Sequence, residues 1–122
     1  MPIIAARRYC HGRPEAGELK VDGGERATLP KHDFDWVGLS EPTPEDMELV
    51  RRQFGLHPLA VEDSLNPTQV PKVEMYGGQL FIVARTAALE EGDNIAYGQT
   101  ALFLGPDFLV TVRFGSAPAP LE

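Results

Sequence analysis

The apolar residues of this chain come in short runs placed behind two well-signalled helices. Leu80-Phe81-Ile82-Val83-Ala84, Ala101-Leu102-Phe103-Leu104 and Phe108-Leu109-Val110-Thr111-Val112 each have the length of a β-strand. Strands of this kind need a covering layer, and the helices ahead of them can supply it. Thr43 is a good N-cap, Pro44 suits the first helical position, and Glu45 and Asp46 lie at the positive end of the helix dipole. Met47, Val50 and Phe54 then form one apolar stripe, and Gly55 supplies the stop. A shorter helix runs from Pro58 to the Asn66-Pro67 pair, because a proline disfavours helical geometry in the residue before it. The order of strands, two helices and more strands predicts an α/β fold, a mixed β-sheet sandwiched by helices.

The remaining elements follow from alternation and turn residues. Ile3 to Tyr9 reads as a strand broken by Gly12-Arg13-Pro14, and Glu18 to Val21 as a second one ending at Asp22-Gly23-Gly24. Phe34 to Leu39 alternates with Phe34, Trp36 and Gly38 on one side. Gln79 to Ala87 reads as a central strand covered on both faces. Ile95 to Leu104 and Phe108 to Phe114 form a hairpin around Gly105-Pro106-Asp107. Trp36, Phe54, Leu80, Ile82, Phe103, Val110 and Val112 are the expected core. At 122 residues and 13.4 kDa the chain is the size of one domain, assigned to residues 1–114 with 115–122 as a linker or frayed end.

Charge narrows the function. The net charge of −7 has the wrong sign for wrapping a nucleic acid. Residues 41–93 hold four basic side chains against ten carboxylates, a net of −6, so the middle of the chain carries nearly all the excess. Such a field draws cations, although a solvated helix face is the plainer reading. No apolar run approaches the ~20 residues of a bilayer span, and Met1 to Arg8 lacks the core of a secretion signal. The single cysteine, Cys10, can form no internal disulfide and reads as a small core residue. A zinc site would need His11, His32 and His57 to converge from distant segments, whereas His57 stands ready to cap the second helix.

One segment can carry chemistry. Glu62 and Asp63 are consecutive on the short helix and therefore point ~100° apart. With Val61 and Leu65 turned inward, the two carboxylates fan over a partly exposed edge. Hard cations such as Mg²⁺ take oxygen ligands, often one or two carboxylates with retained waters. Two carboxylates alone make a weak site, so a second surface would have to supply the rest.

The same segment carries a resemblance. Trp36-Val37, Phe54-Gly55-Leu56-His57-Pro58-Leu59-Ala60-Val61-Glu62-Asp63 and Leu65-Asn66-Pro67-x-Gln69-x-Pro71-Lys72-Val73-Glu74 are similar to the CorA family of magnesium and cobalt transport proteins. The Leu80 to Val83 strand and the hairpin from Leu102 to Val112 fit it as well, so the likeness runs from about Trp36 to Arg113. Val70 departs from the pattern, standing where members commonly carry arginine.

The resemblance implies an N-terminal cytoplasmic domain cut from a longer transporter. In that family a stalk helix and two membrane helices with a Gly-Met-Asn motif follow, five identical subunits surround the pore, and divalent cations pass without covalent catalysis. The pore closes at high cytoplasmic magnesium through carboxylate sites between neighbouring cytoplasmic domains. The Glu-Asp pair of those sites maps onto Glu62 and Asp63, with Mg²⁺ as the regulatory ion and Co²⁺ as an alternative cation. Binding to this chain alone should be weak, since the partner carboxylates belong to later segments and an adjacent subunit. The implied place is the cytoplasmic face of the membrane, reached only through segments beyond this sequence. Two other readings compete: a scaffold domain without sensing, and a small metal-dependent hydrolase built on the acidic patch. The hydrolase reading lacks a general base near a convincing ligand set.

Overall fold

Thr43 caps the first helix as its sequence requires. Its hydroxyl accepts from the Asp46 backbone N–H at 3.2 Å, while Asp46 Oδ2 accepts from the Thr43 N–H at 2.9 Å, a reciprocal capping box. Helix α1 runs Pro44–Phe54 and ends at Gly55, whose φ of 64° is the left-handed geometry that glycine adopts without strain. Helix α2, Pro58–Ser64, begins at His57, whose ring Nδ1 accepts from the Leu59 N–H at 3.1 Å.

The computed structural model describes residues 3–26, 28–66, 69–89, 92 and 95–115. Among the described residues seven strands accompany the helices: β1 Ile3–Cys10, β2 Arg13–Pro14, β3 Asp33–Ser40, β4 Lys72–Tyr76, β5 Gln79–Leu89, β6 Ile95–Leu104 and β7 Phe108–Gly115. They form one sheet in the order β2-β1-β3-β7-β6-β5-β4. Only β3 and β7 pair in parallel; all other neighbours are antiparallel. The α/β class and the mixed sheet are as expected. The β6–β7 turn favours glycine at position 105, because a Cβ there would lie 2.2 Å from the Phe108 ring.

Period two along the strands decides which residues enter the core. Val37 and Leu39 of β3, Phe81 and Val83 of β5, Ala101 and Phe103 of β6, and Phe108, Val110 and Val112 of β7 share one face. Met47, Val50 and Phe54 of α1 and Ala60 and Val61 of α2 close over them. The expected alternation of β3 is present, but its buried side is the other one. Trp36, Leu80 and Ile82 turn to the opposite face and are only half-buried. There they join Leu102 and Leu109, and Val73, Met75 and Leu104 are exposed beside them. Strand β5 accordingly lies second from the sheet edge, not at its centre. The other expected core residues, Phe54, Phe103, Val110 and Val112, are buried.

Three further expectations change. Residues 18–21 form no strand; the chain pairs back at β2 through Tyr9↔Pro14 and Cys10↔Arg13 instead. Strand β4 was not expected. Cys10 is half-buried, not a core residue, and its thiol donates to Glu15 Oε1 at 2.8 Å. Gly115 pairs with Gly98 at the end of β7, and residues 116–122 of the expected tail lie outside the described residues. Most of the polar loop 90–94 does too.

A buried ionic cluster closes one end of the sheet. Asp35, 1% exposed, accepts from Arg8 Nε at 2.7 Å and from Arg26 at 3.1 Å. Arg26 also reaches Asp107 Oδ1 at 3.3 Å and lies over the Phe54 ring, 4.6 Å from its centroid. Removing one partner from such a cluster leaves an uncompensated buried charge, which is far costlier than losing the pair as a whole.

Side-chain truncation should separate the two faces. Phe103→Ala should lose about 3–5 kcal/mol, as expected for a fully buried aromatic. Ile82→Ala, on the half-buried face, should lose about 1–2 kcal/mol. Urea unfolding of the two variants measures the difference; equal losses would mean that both faces are core.

Candidate functional site

Helix α2 is held by its inward side. Ala60 and Val61 lie in the core, and Ser64 is fully buried with its hydroxyl donating to the Val61 carbonyl at 2.7 Å. The turn after the helix is pinned from the sheet, where the buried Gln99 donates its amide to the Asn66 carbonyl at 2.7 Å. With the inward side fixed, the next two residues have to look outward. Glu62 is exposed, and Asp63 is partly buried at the rim against β4. The fan read from helix geometry is therefore present.

The two carboxylates differ in their surroundings. Asp63 Oδ2 lies 2.5 Å from the ammonium of Lys72, which also reaches Glu74 Oε1 at 2.7 Å. Glu74 in turn accepts from the Tyr76 hydroxyl at 3.0 Å, and the Tyr76 ring packs against His57 with centroids 4.5 Å apart. A continuous row, Asp63-Lys72-Glu74-Tyr76-His57, thus ties both ends of α2 to β4. Lys72, Glu74 and Tyr76 alternate along β4 and stand opposite Val83, Phe81 and Gln79, on the same side of the sheet as the helices. Sequence reasoning quoted Lys72 and Glu74 within a motif but gave them no role. Their period-two spacing was the available signal.

The row shifts its own titrations. Asp63 first and Glu74 second hold the Lys72 ammonium protonated well above the usual lysine range. Lys72, helped by the Tyr76 hydroxyl, holds Glu74 below the usual carboxylate value. Desolvation, and then the nearby Glu74, raise Tyr76. At the far end of the sheet, Glu15 and burial push the Cys10 thiol up to about 12, so it stays protonated and unreactive near neutrality.

The histidines do not converge. His11 and His32 follow and precede the paired ends of β1 and β3, their rings 6.4 Å apart, whereas His57 stands beside Tyr76. Among the described residues no group of three or more His, Cys, Asp or Glu is arranged to hold a metal ion. What α2 offers is one exposed carboxylate and one internally neutralised carboxylate.

A family model described as CorA-like Mg²⁺ transporter protein matches residues 31–120. YfjQ of Bacillus subtilis (strain 168), a protein named for metal ion transport, is 31% identical over 94 residues, 77% of this chain and 28% of its own. The manganese resistance protein MNR2 of Saccharomyces cerevisiae is 35% identical over 51 residues, 42% of this chain and 5% of its own. The complete CorA magnesium transporter from Methanocaldococcus jannaschii superposes on 96% of this chain and 34% of its own, with TM-score 0.63 and 16% identity. Full-length CmaX does so over 98% and 36%, with TM-score 0.64 and 18% identity. At those identities the likeness to the solved structures is one of fold. The chain spans less than a third of YfjQ and about a third of each solved chain. No helix among the described residues is long and apolar enough to cross a membrane.

The Lys72–Glu74 contact makes a titration prediction. Glu74 is depressed in the folded state, so its contribution to stability is present above the unfolded value of 4.5 and fades as pH falls through the folded value. Carboxyl-detected NMR should find Glu74 titrating below 4.5, and Lys72→Met should bring it back up. A Glu74 that titrates identically in both proteins would show that the contact is not maintained in solution.

Proposed function

This chain belongs to the family of CorA-like Mg²⁺ transporter proteins, and on that premise we propose that residues 1–114 are the cytoplasmic, divalent-cation-sensing domain of a Mg²⁺/Co²⁺ transporter. In the full-length protein, identical subunits would set this domain around a membrane channel as a homopentamer. Glu62 and Asp63 would face carboxylates of a neighbouring subunit. The observation that carries the reading is the presentation of this pair at the rim of α2, with the inward residues of the helix locked in the core.

The mechanism is electrostatic. Without an ion, carboxylates facing one another across a subunit boundary repel. A divalent cation between them reverses the sign and favours the closed arrangement, binding that arrangement better than the open one. No covalent chemistry is asked of the domain, in keeping with a family of transporters. Mg²⁺ acts here as a regulatory ligand, held weakly by one subunit and firmly by two.

The scaffold reading has one observation in its favour. Asp63 already has a cationic partner in Lys72 within its own chain, as a purely structural carboxylate would.

The experiment is ion flux through the full-length transporter at low and high internal magnesium. Glu62→Ala combined with Asp63→Ala should leave assembly and conduction intact and weaken closure by magnesium. A ligand that loses its differential affinity for the closed state shifts no equilibrium, however abundant it is. Unchanged inhibition in the double variant would assign the pair to the scaffold reading.

A further inference from the structure

Lys72 occupies an unusual place between α2 and β4. Its ammonium bridges two carboxylates on different elements, Asp63 on the helix and Glu74 on the strand, at 2.5 and 2.7 Å. With Glu62 next to Asp63, three carboxylates share this corner with one ammonium in direct contact. The Lys72 side chain is 24% exposed and lies along the Phe81 ring, with its nitrogen 5.9 Å from the ring centroid. Its charged end therefore borders solvent on a flexible four-carbon stem, free to leave if a stronger cation arrives.

We propose that Lys72 is a built-in competitor for the divalent cation: its ammonium occupies Asp63 in the metal-free domain and has to be displaced before that carboxylate can face a metal. The proposal rests on the reading of Glu62 and Asp63 as the sensor, and it adds what sets the sensor's threshold. A divalent ion at the same distance feels twice the attraction of an ammonium, but it arrives at a carboxylate whose charge is already offset. Each ion pair at a partly exposed site is individually weak, so the competition is close and adjustable by a single side chain. Glu62, which has no share in the Lys72 bridge, would meet the cation first; Asp63 would follow as Lys72 swings towards Glu74.

The test is a Mn²⁺ titration of the 122-residue chain, read by paramagnetic broadening of the carboxylate signals, with Mg²⁺ added to compete. In Lys72→Met, broadening of Asp63 and Glu62 should set in at about tenfold lower Mn²⁺ than in the unsubstituted chain, the scale expected for one unit charge removed at contact range. Lys72→Arg keeps the charge and should show no such gain. Equal Mn²⁺ dependence of Asp63 in the Met variant and the unsubstituted chain would overturn the competitor while leaving the sensor reading standing. If neither Glu62 nor Asp63 broadens in any of the three proteins, the competitor is overturned, because removing Lys72 then frees no carboxylate for the cation, while the sensor reading still stands or falls by the flux experiment. Should Lys72→Met not fold, the unsubstituted chain still decides. Saturating Mg²⁺ should shift the Lys72 ammonium resonance, as it leaves Asp63 for Glu74 alone, together with the Asp63 carboxyl. A carboxyl shift with the ammonium unmoved would overturn the proposal.

Discussion

The parallel pairing of β3 with β7 holds the two halves of the sheet together. On one side lies the antiparallel group β2-β1-β3, and on the other the meander β7-β6-β5-β4. A parallel pair cannot be joined by a hairpin, so the chain between Ser40 and Phe108 has to travel out and back, and both helices lie on that excursion. The register also places like ends together. Asp35 stands opposite Phe108, its N–H donates to the Asp107 carbonyl at 3.0 Å, and two carboxylates thus meet at the sheet end. Arg8 and Arg26 are there to neutralise them. The buried ionic cluster is a consequence of strand direction, and its satisfaction with charged partners from β1 and the following connection is what makes that direction tolerable.

From that frame the helices are docked by their C-terminal ends. Gln79, at the start of β5, donates to the Gly55 carbonyl at 2.8 Å behind α1, and Gln99 of β6 does the same for Asn66 behind α2. The last carbonyls of a helix lack partners within it, so a sheet amide aimed at the exit of each helix fixes where it stops. The consequence for function is positional. With its exit pinned and Ala60, Val61 and Ser64 buried, α2 can present Glu62 and Asp63 in one orientation only. Any change of state at this site has to move side chains or neighbouring surfaces, because the helix itself has little freedom to turn.

Local signals were the legible part of this sequence. Thr43, Pro44 and Gly55 mark α1 because capping is a matter of adjacent residues, and His57-Pro58 marks α2 for the same reason. The outward fan of Glu62 and Asp63 follows from helix geometry alone. What the sequence left open was which side of an alternating strand faces the helices. Strand β3 offers Trp36 to one side and Val37 and Leu39 to the other, and the larger aromatic is the misleading choice. The indole carries an N–H that needs a partner, and it donates to Thr111 Oγ1 at 3.2 Å on the half-buried face. Leu80 and Ile82 mislead similarly, since a strand apolar on both sides reads as fully covered whether or not it is. The role of Lys72 depends on β4 being an edge strand beside α2, a fact of topology that the period-two spacing of Lys72 and Glu74 hints at but cannot place.

Strand β4 has one more property. It closes the sheet on one side, and an outermost strand presents backbone groups to which another chain can pair, the route by which sheets stack into aggregates. Val73 and Met75, both about two-thirds exposed, would make such pairing adhesive. Lys72 and Glu74 point from the same strand towards the helix layer, and inward-facing charges are among the devices that discourage edge-to-edge growth. A newcomer extending the sheet would have to desolvate this ion pair further with nothing to replace the lost water. The residues that hold the rim of α2 thereby also keep the domain from polymerising along its own sheet.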